Sequence, residues 1–311
     1  MNPSLVVVGS LNMDFVVRVE RLPAPGETVL GQDFRMVPGG KGANQACAAA
    51  KVARPGTRVR MIGRVGYDLF ADHLRASLSA AGVDVAGVHA TRTQPTGAAL
   101  IWVDPSGQNS IVVAPGANHE LRPEEVGAMR ACFRDAGFVL FQLETPLETV
   151  LEAMRAAREE GAQTILDPAP AQTLPAEMLE AADILTPNET EARRLLGEAP
   201  GRIAPGDAPQ VARALRQRGA RCVVLKLGEE GCFCMTGTAS MHVPAFRVTA
   251  CDATAAGDVF NGALAVALAE QRPLEEALRF ASAAAALSVT KPGAQASIPT
   301  RREVEEFLRV H

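Results

Sequence analysis

Short apolar runs that stop at a glycine or polar residue recur along this chain, and most are followed by a helical repeat. That alternation constrains the fold more than any other feature, because a continuous apolar run of about four to eight residues marks a strand buried on both faces. Leu5–Gly9 is the first such run; Arg58–Gly63, Phe138–Leu143, Thr164–Asp167, Asp183–Thr186 and Cys222–Leu227 follow. Helical periodicity occupies QACAAAKVA from Gln45, Asp68–Ala81, and stretches near 123–135, 147–160, 188–196 and 208–218. Three more helices are expected near 257–270, 274–290 and 300–309, after a hairpin-like stretch at 232–248. Strands separated by helices predict α/β architecture, a mainly parallel sheet covered on both faces.

Two segments break the pattern. Phe15–Val19 with Thr28–Val37, split by Pro23-Ala24-Pro25-Gly26, alternate apolar and polar residues as a sheet with one wet face does. So does 96–113, around a Pro105-Ser106-Gly107 turn. The expected organisation is a single domain over 1–311, with insertions near 12–37 and 95–114 forming a small sheet. Placed over the carboxyl edge of the main sheet, where α/β proteins bind ligands, it would be a lid. The same sheet is open to use as a dimer interface, and the two uses are compatible.

Composition narrows the partners. Lys and Arg number 31 against 35 Asp and Glu, a net charge of −4, which argues against nucleic acid and offers a membrane no basic face. The opening MNPSLVVVGS turns strand-like at once and does not resemble a secretory leader. The longest apolar stretches, near 262–269 and 281–289, are too short to span a bilayer. Cys47, Cys132, Cys222, Cys232, Cys234 and Cys251 show neither CxxC pairing nor zinc spacing, so reduced thiols in a cytoplasmic protein are expected. Cys251, beside Asp252, is the thiol whose modification would matter most.

Chemistry concentrates in Asp252-Ala253-Thr254-Ala255-Ala256-Gly257-Asp258, which runs straight into the helical pattern VFNGALAVALAE. A helix start presents unpaired, partly positive amides, and small residues let a phosphate reach them. Asp258 would then stand beside whatever attacks that phosphate, able to accept a hydroxyl proton. Asp also favours helix starts as a cap, and this stretch alone does not separate the two roles. Neither a GxxxxGK[ST] loop nor a GxGxxG after a strand is present, which removes support for P-loop or Rossmann dinucleotide chemistry.

Other polar groups fall at strand ends. Asn12 and Asp14 follow the first strand, where an ionised Asp can grip two neighbouring hydroxyls or simply form an Asx turn. Gly39-Gly40-Lys41-Gly42-Ala43-Asn44 exposes backbone around a lysine and ends at a helix start. Glu144 ends another strand. Asn188 and Glu191, three apart, fit either a hydrated Mg2+ site or a capping box. Leu227-Gly228-Glu229-Glu230-Gly231 fits a plain hairpin or a shelf for a base and ribose.

GSLNMD, GGKGANQA, QLETP, TPNETEA, KLGEEG, DATAAGDVFNGAL and KPGAQAS together resemble, in order and spacing, the ribokinase-like carbohydrate kinases, also called the phosphofructokinase-B-type family. The resemblance covers essentially the whole chain and implies a three-layer α/β/α fold with a β-sheet lid. It implies ATP-dependent phosphorylation of D-ribose at its 5-hydroxyl, with a sister kinase for deoxyribose, a nucleoside or another sugar as the alternative and an inactive sugar sensor as a remote one. By the same resemblance Asp258 is the catalytic base and Ala255, Ala256 and Gly257 the anion hole. Asn12, Met13, Asp14, Gly40, Lys41, Gly42, Ala43, Asn44 and Glu144 match the ribose contacts. Asn188, Lys226, Leu227, Gly228, Glu229, Glu230, Gly231 and Ser282 match the ATP contacts, and Glu191 a magnesium site acting through water. Asp252, Thr254, Ser288, Lys291, Gly293 and Ser297 match a potassium site beside the anion hole. A homodimer through the lid sheet is also implied. Two positions depart from the family's frequent pattern: Ala255 stands for a glycine, and Ser282 for a His or Asn against the adenine.

Overall fold

The computed structural model describes residues 4–105 and 108–311; Ser106 and Gly107 of the expected turn lie outside the described residues. The chain begins with β1 (Ser4–Val8), β2 (Asn12–Val19) and β3 (Gly31–Gly39), then α1 (Lys41–Val52), β4 (Arg58–Gly66) and α2 (Leu69–Ala80). β5 (Val83–Thr91), β6 (Gly97–Val103) and β7 (Asn109–Ala114) precede α3 (Val126–Arg134). Alternation then resumes with β8 (Phe138–Phe141), α4 (Leu147–Glu159), β9 (Gln163–Leu166), α5 (Ala176–Ala181), β10 (Ile184–Leu185), α6 (Glu189–Leu196), α7 (Ala208–Gln217) and β11 (Cys222–Lys226). The last third is the hairpin β12 (Cys232–Met235) and β13 (Ser240–Val243), followed by α8 (Ala256–Ala269), α9 (Leu274–Ser288) and α10 (Arg301–Val310).

Nine strands form the main sheet in the order β13-β12-β11-β10-β9-β8-β1-β4-β5. Pairing is parallel from β11 to β5, and only β12 and β13 are joined antiparallel. The apolar runs occur because these strands bury both faces. Leu5 and Val7 of β1 point into one core and Val6 and Val8 into the other, with Leu140 and Phe141 of β8 dividing the same way. The first core is covered by α1, α2, α8, α9 and α10, the second by α3, α4, α5, α6 and α7, which makes three layers.

From β1 the chain steps outward to β4 and β5, then returns to fill the other side from β8 onward. That reversal leaves a crevice at the carboxyl ends of β1 and β8, the usual ligand position in open α/β sheets. A second sheet, in the order β3-β2-β6-β7, rises from the end of β1, with β2 and β6 parallel and its outer pairs antiparallel. Phe15 of β2 ties it to the body through an edge contact with Phe70 of α2 at 5.4 Å.

Three features depart from the pattern the sequence suggests. β5 is an edge strand whose residues alternate between buried and exposed, so it lacks the continuous apolar run that marks its neighbours. The short α5 has too few turns to show a period. Lys41–Asn44 is not loop but the first turn of α1. Gly40, at φ 88°, makes the bend into it, and a Cβ at Gly42 would sit 2.6 Å from the Ser10 amide, so close packing on β1 overrides the poor helix propensity of glycine.

The helical layer over the first core is tied down at one buried carboxylate. Glu270, at the end of α8, meets Arg301 at 2.5 Å, Arg272 at 3.4 Å and Arg54 at 3.5 Å, with its side chain only 2 % exposed. Glu270→Ala is expected to lose about 3 kcal/mol of unfolding free energy in urea titration, because it strands arginines that packing has gathered.

Candidate active site

Three helices begin at the crevice, and they differ in what occupies their first turns. In α1, the Lys41 amide donates to Glu144 Oε2 at 3.2 Å and the Gly42 amide to Ser10 Oγ at 3.4 Å. In α6, Asn188 and Glu191 form a reciprocal capping box at 2.7 and 2.8 Å. In α8, Ala255 stands at the cap in the left-handed region (φ 60°) and offers no side-chain acceptor. The first turn of α8 is therefore the one left open to an anion.

Asp258 lies in that open turn and does not cap it. Its Oδ2 accepts from Asn44 Nδ2 at 3.0 Å and its Oδ1 from Gln45 Nε2 at 3.1 Å, both from α1. Burial, aided by Asp167, pushes its pKa up to about 6, against the pull of Lys41 and the two amides. A carboxylate so held is ionised at neutral pH yet basic enough to take a proton.

Gln45 is fully buried and touches more than Asp258. Its amide also donates to Asp167 Oδ2 at 2.9 Å, and its carbonyl accepts from Gln142 Nε2 at 2.7 Å. Asp167 in turn holds Lys226 Nζ at 3.0 Å. A Cβ on Gly257 would come 3.4 Å from that ammonium, so Lys226 flanks the open helix start. Burial disfavours the charge on Lys41, but Asp258, Glu144, Asp167 and Glu191 outweigh it and hold the ammonium above its ordinary pKa. Asp167 and Glu191 do the same for Lys226.

On the side of the small sheet, Asp14 is buried and pushed up to about 7 by that burial and by the charges of Glu144 and Asp258. A side chain at Gly39 would run into its carboxylate. Asn12 is anchored by Asn118, whose amide donates to Asn12 Oδ1 at 2.7 Å while its carbonyl receives the Leu11 amide at 2.9 Å. Ser10 Oγ donates to Glu144 Oε2 at 2.5 Å. Met13 is 1 % exposed and packs in the apolar core beneath the small sheet's origin.

Beyond Lys226 the chain turns through Gly228 (φ 57°) and Gly231 (φ 92°), closed by the Leu227 amide on Gly231 O at 2.8 Å. Glu229 and Glu230 face solvent, and Glu229 pairs with Arg202 at 2.9 Å. Ser282 of α9 is buried near the Cys232 thiol, which follows this turn. The Asp252 group lies just before α8. Asp252 accepts from the Thr254 amide at 2.9 Å and the Gly293 amide at 2.8 Å, which holds its pKa low despite partial burial. Ser288 and Ser297 hydroxyls donate to Ala285 O and Ala294 O, each at 2.8 Å. The Lys291 ammonium turns away to Glu303 at 2.8 Å, so only its backbone oxygen is available to a cation.

Sequence reasoning did not single out Ser10, Gln45, Asn118, Gln142 or Asp167. Gln45 stands inside the quoted GGKGANQA motif, and Asp167 ends a run assigned as strand; the other partners carry no local signal, since each contact spans a long stretch of chain.

A three-layer α/β body with an acid at an open helix start, two partly buried lysines and a second sheet at the crevice defines a phosphotransferase-type site. Residues 2–301 match the model of the pfkB family carbohydrate kinases, and the chain belongs to that family. It is 42 % identical over 311 residues to the ribokinase of Haemophilus influenzae, covering 99 % of each chain. It is 35 % identical over 312 residues to the deoxyribokinase of Salmonella typhi, again covering 99 % of each. The structure of Arabidopsis thaliana ribokinase complexed with ribose and ATP superposes with a TM-score of 0.90 at 35 % identity, over 99 % of both chains.

Raised acid pKa values carry a stability cost with a definite sign. Between its ordinary value and about 7, Asp14 is protonated in the folded chain and ionised in the unfolded one, so stability falls as pH rises through that window. Asp14→Asn is expected to melt above the unsubstituted protein at pH 8, with the gap closing below about pH 4. Thermal melts across pH check this.

Proposed function

We propose that this chain is an ATP-dependent ribokinase that moves the γ-phosphoryl group of ATP to the 5-hydroxyl of D-ribose, giving D-ribose 5-phosphate and ADP. The observation that carries the reading is Asp258, a buried carboxylate at an uncapped helix start, held by Asn44 and Gln45 and faced by lysines. Near-full-length likeness to ribokinases supports the choice of sugar.

Each Asp258 oxygen already accepts one amide hydrogen, which fixes the carboxylate plane and leaves lone pairs for the incoming alcohol. As that oxygen attacks, Asp258 takes its proton. Charge gathering on the phosphoryl oxygens is met by the Gly257 and Asp258 amides and by Lys41 and Lys226. The Ala256 amide contributes less, since it already donates to Ala253 O at 3.2 Å. Ala255 holds the turn in place of a glycine at a strain of about 1 kcal/mol.

Asn12, Asp14, Asn44 and Glu144, with the backbone of Gly40–Asn44, would hold the sugar. Asp14 can accept from two adjacent hydroxyls, which favours ribose over 2-deoxyribose. Asn188, Ser282 and the Lys226–Gly231 turn would receive the nucleotide. Glu191, a buried hard oxygen donor, suits the Mg2+ that enters with ATP through an intervening water, and that ion would neutralise phosphate charge. Asp252, the Thr254 and Ser288 oxygens and the backbone oxygens of Lys291, Gly293 and Ser297 form an oxygen-rich set suited to K+, which would stiffen the loop into α8. The β3-β2-β6-β7 sheet would act as the lid. Phe34, Met36, Ile111 and Val112, each more than half exposed on its outer strands, would be covered by a second copy in a homodimer. Among the described residues no helix is long and apolar enough to cross a membrane.

A sister kinase for deoxyribose is the alternative, since a deoxyribokinase is among the full-length relatives. An ADP-release screen over sugars separates the two: ribose is expected to lead, and a higher kcat/KM for 2-deoxyribose would replace the ribose reading. Asp258→Asn is expected to lose several orders of magnitude in kcat while ribose binding is kept; a variant with a tenth of the activity would remove Asp258 as the base. Rates in KCl are expected to exceed those in NaCl, and equal rates would remove the K+ site.

A further inference from the structure

Asp167 stands at the carboxyl end of β9, only 3 % exposed, and divides its two oxygens between the two halves of the site. One accepts from Gln45, whose same amide nitrogen holds Asp258 at 3.1 Å; the other accepts from Lys226 at 3.0 Å. Lys226 is the cation beside Gly257. One buried side chain thus touches both the group that orients the base and the cation that flanks the open helix start.

We propose that Asp167 is a positioning residue, which fixes Lys226 against the phosphate-facing turn and Gln45 against Asp258, so that cation and base keep one spacing. Asp167 reaches neither the sugar nor the phosphate and acts through those two partners. The inference deepens the kinase reading and rests on Asp258 being its base.

Both contacts on Asp167 are donors, which makes the isosteric change informative. Asparagine offers one carbonyl oxygen where two are used, so either Gln45 or Lys226 loses its acceptor. The substitution also removes a negative charge that, with burial, raises the Asp258 pKa. The other charged groups facing Asp258 are Lys41 from α1, Lys226 from β11 and Asp14 from β2, and the substitution leaves their charges in place.

The experiment compares the unsubstituted chain, Asp167→Asn, Lys226→Met and the double variant by steady-state kinetics from pH 5 to 9. Asp167→Asn is expected to move the acidic limb of kcat/KM to lower pH and to raise the ATP KM about tenfold, the scale of one lost charge-assisted contact. Ribose KM is expected to stay within about twofold, and the double variant to be no worse than the poorer single one, because both changes break one unit. An unmoved limb with an unchanged ATP KM in a cooperatively melting Asp167→Asn protein overturns the proposal and leaves an ion pair that only braces the fold. Additive losses in the double variant overturn it as well. If Asp167→Asn does not melt cooperatively, Lys226→Met carries the test, and an unchanged ATP KM there overturns it. Failure of ribose phosphorylation itself would be visible separately, as an unsubstituted chain that releases no ADP with ribose. Calorimetric titration with Mg-ATP alone then decides: about tenfold weaker binding by Asp167→Asn supports the positioning role, and equal binding overturns it.

Discussion

How near α1 can come to α8 decides the geometry of the whole site. A Cβ on Gly262 would lie 2.6 Å from Gln45 O and 2.8 Å from both Ala48 Cβ and the Ala49 amide, so the two helix backbones meet with nothing larger than an alanine methyl between them. The small residues Ala46 and Ala48–Ala50 of α1 and the glycine at 262 permit that contact. It puts the amides of Asn44 and Gln45 within hydrogen-bonding reach of Asp258, more than two hundred residues along the chain. A bulkier residue on either face would separate the helices and release the carboxylate from both donors at once.

Close approach also aims two helix starts at one place, and their fates differ. Glu144 and Ser10 occupy the first-turn amides of α1, which converts that end into a fixed wall. The α8 start has only Ala255 at its cap, so its amides after Ala256 keep their unsatisfied donors. Which helix end is open to an anion follows from which is capped by distant side chains.

The same distinction separates what the sequence reveals from what it hides. β1 and β8 are legible because both of their faces are buried, and the position of Asp258 is legible because a carboxylate among small residues before an apolar helix is a local pattern. The capping box of Asn188 and Glu191 is one of the two arrangements their spacing allows, and its geometry is set within four residues. Asp167, Asn118 and Gln142 are different. Asp167 meets Gln45 across 122 positions and Asn118 meets Leu11 across 107, so no window of sequence contains the information. β5 and the first turn of α1 escaped for a related reason: partial burial at a sheet edge blurs one, and packing on Ser10 overrides glycine in the other.

Charge balance in the crevice carries the synthesis one step further. Asp14, Glu144, Asp167, Glu191 and Asp258 outnumber Lys41 and Lys226, the ammonium groups on which their charges bear most directly. A polyphosphate entering such a place meets net negative charge, and the long-range field opposes it. Two features relieve that opposition. Burial and neighbouring acids lift Asp14 to about 7, so that part of the excess is cancelled by a proton near neutral pH while Asp258 keeps its charge. The remainder calls for cations, and on the proposed reading the Mg2+ that accompanies ATP and a K+ beside Asp252 would supply them. The acids are then not a liability left over from packing. On that reading they would make nucleotide binding depend on its metal and on a filled cation site, and they hold Lys41 and Lys226 charged in a partly buried place where isolated ammonium groups would lose their protons.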